Sequence, residues 1–150
     1  MEDQAVLAKL KETFAPDGAA EREHNARPDS AGFGLIHYSL VTNLRPERVL
    51  VIGSRHGYVP SMLALAVKAN GSGTVDFVDA NYSDAKEGAQ VAFGGVENWH
   101  GDAAEKFACF GLRDVIKVHV QRSSEFFAQC SAKYRYIYLD GNHSYEGSRY

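Results

Sequence analysis

The sequence predicts an α/β fold in which helices cover both faces of a parallel sheet, giving three layers. An apolar run at residues 49–52 ends in a glycine turn that opens a helix, and a second run ends in the carboxylate of Asp79. Two further strand-like segments follow, and helix-like segments lie between the strands. This alternation is typical of βαβ units, which build parallel sheets. We predict four parallel strands in the spatial order 3-2-1-4.

The N-terminal part, residues 1–34, is predicted to form a helix and a lid or linker ahead of the main domain, residues 35–150. Residues 4–14 place apolar side chains at helical spacing. Residues 15–30 carry proline, glycine and many charges, so we interpret them as a loop or lid. A second helix is predicted over residues 35–44, where it ends before a proline.

Strands and helices alternate through the main domain. The predicted strands are residues 49–52, 74–78, 115–120 and 136–140. The predicted helices between them are residues 58–69, 103–110 and 123–131. The first strand is continuously apolar, as expected for a strand buried on both faces, and a serine cap is predicted at Ser123. The segment 80–101 exceeds an ordinary strand-to-helix turn, which makes it a candidate substrate loop.

Composition indicates a single soluble domain. The chain has 150 residues, 45% of them hydrophobic and 23% charged, and a formal net charge of −3. Without a basic block, nothing favours binding to nucleic acid or to a membrane surface. Since the sequence shows no signal peptide and no apolar run of about 18 residues, we expect a cytoplasmic protein. Cys109 and Cys130 match no metal spacing and are predicted to pack as small apolar side chains.

The glycine turn after the first strand is the first candidate site. Gly53 and Gly57 would let the backbone approach a ligand closely, and the following helix begins there. Asp79 ends the neighbouring strand, where its carboxylate could accept hydrogen bonds from ribose hydroxyls. Asp76 is the competing acid, but strand alternation points it away, so we interpret it as structural or solvated. The sequence therefore predicts a nucleoside-binding site, although glycines in a plain turn would give the same pattern.

Three motifs resemble those of class I S-adenosylmethionine-dependent methyltransferases, in particular the small-molecule O-methyltransferase branch related to macrolide and catechol enzymes. They are the glycine turn, Asp79, and the sequence Leu139-Asp140-Gly141-Asn142-His143-Ser144-Tyr145-Glu146, which is similar to that branch's Asp-Gly-Asp-His-Ser-Tyr-Glu signature. The resemblance spans residues 49–147. It implies a Rossmann-like three-layer sandwich, S-adenosylmethionine as the cofactor, and methyl transfer to a small-molecule hydroxyl.

The chain also departs from that family. Val51 stands where the family usually has an acid, Arg55 where it often has glycine, and Asn142 where it has a second acid. The family's sheet has seven strands, whereas four are predicted here. We therefore expect either a fragment of a longer enzyme or a unit that pairs with a second copy at the apolar edge of the fourth strand. A degenerate module that binds a nucleoside without catalysis is the alternative.

A nicotinamide cofactor is a further alternative, because the same architecture binds dinucleotides. The dinucleotide fingerprint requires glycine at the first, third and sixth positions of the turn. Those positions hold Gly53, Arg55 and Tyr58. Arg55 would crowd a pyrophosphate and Tyr58 would prevent close helix–strand packing, whereas S-adenosylmethionine has no pyrophosphate. The turn therefore favours the methyl donor.

The resemblance also implies roles for individual residues. The predicted cofactor-binding residues are Gly53, Ser54, Arg55, His56, Gly57, Asp79, Ala80, Gln121, Arg122 and Ser123. Asp140 would orient the acceptor hydroxyl, directly or through a divalent metal such as Mg²⁺, and His143 would accept its proton. The alternatives are a carboxylate that caps the following turn and an exposed loop histidine. We interpret Trp99 and His100 as loop residues that pack against the core.

Overall fold

A computed structural model of the chain describes residues 4–16, 18–80, 99 and 102–141. The helices are α1 (Gln4–Phe14), α2 (Ala19–His24), α3 (Phe33–Leu44), α4 (Tyr58–Asn70), α5 (Glu105–Ala108) and α6 (Ser123–Gln129). The strands are β1 (Arg48–Ile52), β2 (Thr74–Asp79), β3 (Ile116–Val120) and β4 (Tyr136–Leu139). Each predicted strand and helix is found, with ends that differ by a few residues at most. None of the helices in these residues is long and apolar enough to cross a bilayer.

The four strands form one parallel sheet in the order β3-β2-β1-β4, as predicted. At the centre of the sheet, Val51 of β1 lies between Phe77 of β2 and Tyr138 of β4. Because all four strands run in the same direction, their carboxyl ends lie along one edge of the sheet. Ligands of open α/β sheets bind at this edge.

The main core lies on one face of the sheet, under α1, α3 and α4. Strand alternation sends Val49, Val51 and Phe77 into it, and all three side chains are fully buried. In α4, nearly every side chain from Tyr58 to Val67 is buried. The reason is that α4 packs against α1, α3 and β2 at once.

The opposite face carries a smaller core beneath α6. Leu50 of β1 and Val78 of β2 pack there against Phe126. On the same face, Ile137 and Leu139 of β4 are 54% and 69% exposed. Pairing of two copies along β4 stays a prediction.

Asp76 of β2 belongs to this second face and is only 2% exposed. Its carboxylate accepts hydrogen bonds from the Tyr134 hydroxyl at 3.0 Å and from Nε2 of His119 at 2.9 Å. The guanidinium of Arg48 lies 3.4 Å away as an ion-pair partner. Three partners supply what water would otherwise provide to a buried carboxylate. Of the two roles predicted for Asp76, structural or solvated, the structure shows the first.

Residues 15–30 are not only the loop or lid predicted from their composition, because α2 forms inside them. Ala19 and Ala20 of α2 are buried in the main core, and that contact stabilises a helix too short to show a periodic pattern. Gly18 lies just before α2 and Asn25 just after it, and both have a left-handed backbone conformation, with φ of 74° and 50°. The lid role and the boundary between residues 34 and 35 stay predictions.

Two smaller predictions are wrong. Ser123 is not the cap of α6 but its first helical residue, and the Glu125 carboxylate accepts the N–H of the preceding Arg122 at 3.0 Å. Cys109 is exposed rather than packed, because it follows the short α5 at the surface. Cys130 is half-buried and packs against the smaller core, as predicted.

Candidate functional site

The carboxyl ends of the four strands bring the main predicted site residues together. The backbone N–H of Gly53 donates to a β2 carbonyl at 2.8 Å, and that of Asp140 donates to a β1 carbonyl at 2.8 Å. On the other side, the Gln121 N–H donates to the Asp79 carbonyl at 3.0 Å. These bonds fix the order Gln121, Asp79, Gly53 and Asp140 along one edge of the sheet. The predicted convergence of the glycine turn and Asp79 is present.

The glycines of the turn are required by backbone conformation and by space. Gly53 has φ 72° and Gly57 has φ 90°, values that side chains rarely allow. A Cβ on Gly53 would lie 2.7 Å from the carbonyl carbon of Asp140, and one on Gly57 would lie 2.8 Å from the Trp99 ring. The turn is therefore packed closely against its neighbours on both sides.

Two of the predicted turn residues connect the turn to helices elsewhere in the chain. Arg55 pairs with Glu23 of α2 at 3.1 Å, and both side chains are about two-fifths exposed, so the pair contributes little stability. The His56 carbonyl accepts a hydrogen bond from Lys106 of α5 at 3.3 Å. Burial lowers the pKa of Lys106, whose ammonium lies 4.9 Å from the centre of the Trp99 ring. The turn is thus held between α2 and α5.

Trp99 has the packing role predicted for it. Its ring is 3% exposed and contacts Phe77 edge-on at 4.9 Å and Phe107 in a stacked arrangement at 5.8 Å. His100 lies outside the described residues, as does most of the predicted substrate loop.

The remaining predicted cofactor residues lie near the ends of β1, β2 and β3. Ser54 is buried, and its carbonyl accepts the Gly57 N–H at 2.7 Å. Asp79 and Ala80 are half-buried, and Arg122 precedes the first residue of α6. Contact of these residues with a cofactor stays a prediction.

Asp140 is half-buried at the carboxyl end of β4. Burial raises the pKa of Tyr138, and the negative charge of the Asp140 carboxylate adds to that rise. Among residues 4–16, 18–80, 99 and 102–141, no group of three His, Cys, Asp or Glu side chains is placed to hold a metal. His143, the predicted proton acceptor, lies outside the described residues.

Two histidines that the sequence did not single out lie near Asp140. His24 of α2 packs against the Tyr58 ring at 4.6 Å, and Nδ1 of His37 in α3 lies 2.8 Å from the Tyr136 hydroxyl. Burial lowers the pKa of both histidines, and the Asp140 carboxylate opposes that effect in each. No local sequence signal could have found them, because His37 and its partner are 99 residues apart.

These lowered pKa values predict an acid-sensitive fold. The unfolded chain takes up protons near pH 6.5 while folded His24 and His37 stay neutral, so the free energy of unfolding should fall as the pH drops through 6.5. Urea denaturation at about pH 7.5 and pH 5.5 measures the loss. In His37→Gln the loss should be smaller than in the unsubstituted protein. An equal loss in both proteins would show that His37 does not contribute.

A family model described as a methyltransferase domain matches residues 50–150, which include the glycine turn and all the strand ends described above. No curated relative matches the chain.

Solved structures share the fold. The O-methyltransferase TomG of Streptomyces achromogenes, involved in tomaymycin synthesis and solved with SAM, has a TM-score of 0.58 and 24% identity over 95% of this chain and 55% of its own. Methyltransferase PaMTH1 of Podospora anserina, solved with SAH, has a TM-score of 0.56 and 20% sequence identity, and the match covers 95% of this chain and 59% of PaMTH1. Cofactor-bound Rv0187 from MTB has a TM-score of 0.55 and 19% sequence identity, and the match covers 91% of this chain and 59% of Rv0187. The chain spans little more than half the length of these proteins.

Proposed function

This chain belongs to the methyltransferase domain family, and we propose that it binds S-adenosylmethionine and supports transfer of the methyl group to a small-molecule hydroxyl. SAM or SAH is present in two of the similar structures, and one of these is an O-methyltransferase. The bound sulfonium supplies an already activated methyl group, so the protein mainly has to align the acceptor and take up its proton.

The observation that carries the proposal is the position of Asp79 beside the glycine turn. β1 and β2 are adjacent strands, and the Val78 carbonyl of β2 accepts a hydrogen bond from the Gly53 N–H at 2.8 Å. Asp79 is the residue after Val78, so it lies beside the glycine turn. A carboxylate there can accept bonds from both ribose hydroxyls of a nucleoside. The space that a side chain at Gly53 would need is filled by the backbone of Asp140 and Gly141, so glycine there brings Asp140 close to the same turn.

The test is calorimetric titration of the chain with S-adenosylhomocysteine. Asp79→Ala should weaken binding by about 1.5–3 kcal/mol, or roughly ten- to 150-fold in Kd, because it removes hydrogen bonds to a charged group. Asp114→Ala, at an exposed acid away from the site, is the matched control and should bind as the unsubstituted protein does. Unchanged affinity in Asp79→Ala would overturn the assignment.

A nicotinamide cofactor is tested in the same titration. Tyr58, at the sixth position of the turn, is 1% exposed and donates its hydroxyl proton to the Ala31 carbonyl at 2.9 Å. This large buried side chain occupies the position where a dinucleotide-binding turn needs glycine for close helix–strand packing. NADH should therefore bind far more weakly than S-adenosylhomocysteine. The reverse order would favour an oxidoreductase.

For the acceptor, we propose that Asp140 orients the hydroxyl and that His143 takes its proton. The position of Asp140 supports this role, because the residue directly follows β4 beside Gly53, on the same edge of the sheet as Asp79. A divalent metal held by Asp140 stays a prediction.

A module that binds the nucleoside without catalysis remains the second candidate. It is favoured by Val51, which is fully buried in the main core at the position where the family usually carries an acid. Binding of S-adenosylhomocysteine without methyl transfer to any of a panel of hydroxylated aromatic and sugar acceptors would identify this second function.

A further inference from the structure

Lys106 of α5 places a positive charge beside the glycine turn. Its side chain is half-buried, and its ammonium donates a hydrogen bond to the His56 carbonyl at 3.3 Å. The same ammonium lies 4.9 Å from the centre of the Trp99 ring and 5.7 Å from the centre of the Phe14 ring. A half-buried ammonium gives up part of its hydration, so the carbonyl and the two rings must replace it.

The carbonyl that accepts this bond belongs to a peptide unit whose other polar atom is also held. The Gly57 N–H, in the same peptide as the His56 carbonyl, donates to the Ser54 carbonyl at 2.7 Å. A peptide unit is planar and rigid, so holding both its oxygen and its N–H fixes its orientation. Gly57 directly precedes α4. Lys106 therefore acts at the point where the turn passes into the helix.

The two rings beside Lys106 contact the same point of the turn. A Cβ on Gly57 would lie 2.8 Å from the Trp99 ring and 3.3 Å from the Phe14 ring. In the same turn, Arg55 has a φ of 42°, a left-handed conformation that residues with a side chain rarely adopt. A strained backbone persists only where the surrounding contacts hold it. Lys106 supplies one such contact and lies against the rings that supply others.

We propose that Lys106 is a positioning residue for the glycine turn, residues 53–57, and acts through the His56 carbonyl. Its ammonium holds the peptide between His56 and Gly57 in the orientation that nucleoside binding requires. The inference rests on the proposed function in one respect, that the turn contacts S-adenosylmethionine. In this arrangement α5 contributes to cofactor binding, although 50 residues separate Lys106 from His56.

The first test needs no activity and uses two backbone NMR signals of the full chain, the ¹³C signal of the His56 carbonyl and the ¹⁵N signal of the Gly57 amide. Lys106→Met keeps most of the apolar stem but removes the ammonium, so both signals should move. Lys106→Arg keeps a cationic donor and should return both signals towards those of the unsubstituted protein. Signals that stay unchanged in Lys106→Met, or that move as far in Lys106→Arg, would overturn the proposal.

Two further variants guard this test against unspecific effects and misfolding. Lys9→Met removes an ammonium that lies 5.7 Å from the Phe110 ring and that has no hydrogen-bond acceptor among the described residues. It should leave both signals unchanged, and a movement as large as that in Lys106→Met would contradict the proposal. Lys106→Gln is milder, because its amide ends one bond short of the ammonium. It should move both signals in the same direction as Lys106→Met, and the opposite direction would count against the hydrogen bond.

The second test measures the consequence for the cofactor by calorimetric titration with S-adenosylhomocysteine. Lys106→Met should raise Kd about fivefold and Lys106→Arg less than about twofold, because a turn that is not held in place must be ordered on binding. Lys9→Met should bind as the unsubstituted protein does. Urea denaturation checks that each variant is folded under the conditions of the titration. An unchanged Kd in folded Lys106→Met would overturn the proposal.

Methyl transfer gives a further readout of the same contact. Lys106→Met should raise the KM for S-adenosylmethionine about fivefold and change kcat less than about twofold, because the turn binds the cofactor equally before and during the reaction. A lower kcat with an unchanged KM would contradict the proposal. Failure of the unsubstituted protein to bind S-adenosylhomocysteine would instead overturn the proposed function, and the NMR signals would still decide whether Lys106 holds the His56 peptide.

Discussion

Replacing Gly53 by Ala is expected to lower the free energy of unfolding by about 2–5 kcal/mol. The left-handed φ of 72° costs about 1–2 kcal/mol for a residue with a Cβ. The new Cβ would also lie 2.7 Å from backbone atoms of Asp140 and Gly141, and overpacking of this kind costs about 1–3 kcal/mol. Relief would require the ends of β1 and β4 to separate. Urea denaturation with far-ultraviolet circular dichroism measures the change.

Gly71→Ala is the matched control for this substitution. Gly71 has φ 71°, nearly the same as Gly53, but a Cβ built there meets nothing within 4 Å. Its loss should therefore reflect backbone strain alone, about 1–2 kcal/mol. Equal losses in the two variants would show that the close approach of β4 to the turn is not energetically important.

Removing the buried carboxylate in Asp76→Ala is expected to cost about 3 kcal/mol of folding free energy. The substitution leaves Tyr134 and His119 without their acceptor and separates Arg48 from its ion-pair partner. Breaking a fully buried pair costs about 3–5 kcal/mol. The lower figure is expected because Arg48 and His119 are partly exposed and can regain water.

Asp76→Asn separates the charge of the side chain from its shape. The amide can still accept one hydrogen bond, so the loss should be smaller, about 1–2 kcal/mol. Asp114→Ala, at an exposed acid, should stay within about 0.5 kcal/mol of the unsubstituted protein. If Asp76→Ala were as stable as Asp114→Ala, the three contacts of Asp76 would contribute nothing to folding. Binding of S-adenosylhomocysteine should survive in Asp76→Asn, since Asp76 points away from the site.

The elements that were predicted correctly are those whose pattern of apolar residues lies within one short stretch of sequence. Residues 4–14 were predicted to be helical from apolar spacing, and α1 covers the same residues, because Leu10 and Phe14 lie on one stripe and are fully buried. α2 escaped prediction because only Ala19 and Ala20 anchor it, and two alanines give no periodicity. The cap of α6 was predicted wrongly at Ser123, a residue type that favours this position. Glu125 accepts the backbone N–H of Arg122, and Arg122 is the cap.

The residues of the candidate site also form two groups, those that could be placed from the sequence and those that could not. Gly53, Asp79 and Asp140 could be placed together from sequence, because each ends a strand and parallel strands end at one edge. His37 and Glu23 could not, since their positions depend on how helices pack onto a sheet built later in the chain. Side chains that α2 and α3 contribute to this edge become visible only in three dimensions.

Trp99 is the only tryptophan in the chain, and its buried ring lies directly beneath Gly57. Its indole is also close to the Lys106 ammonium, a charge that can shift the energy of the excited state. The protein's tryptophan emission therefore comes from one place, next to the proposed nucleoside site. A movement of the glycine turn against the core would change that emission without any added dye, which gives the protein a built-in optical reporter.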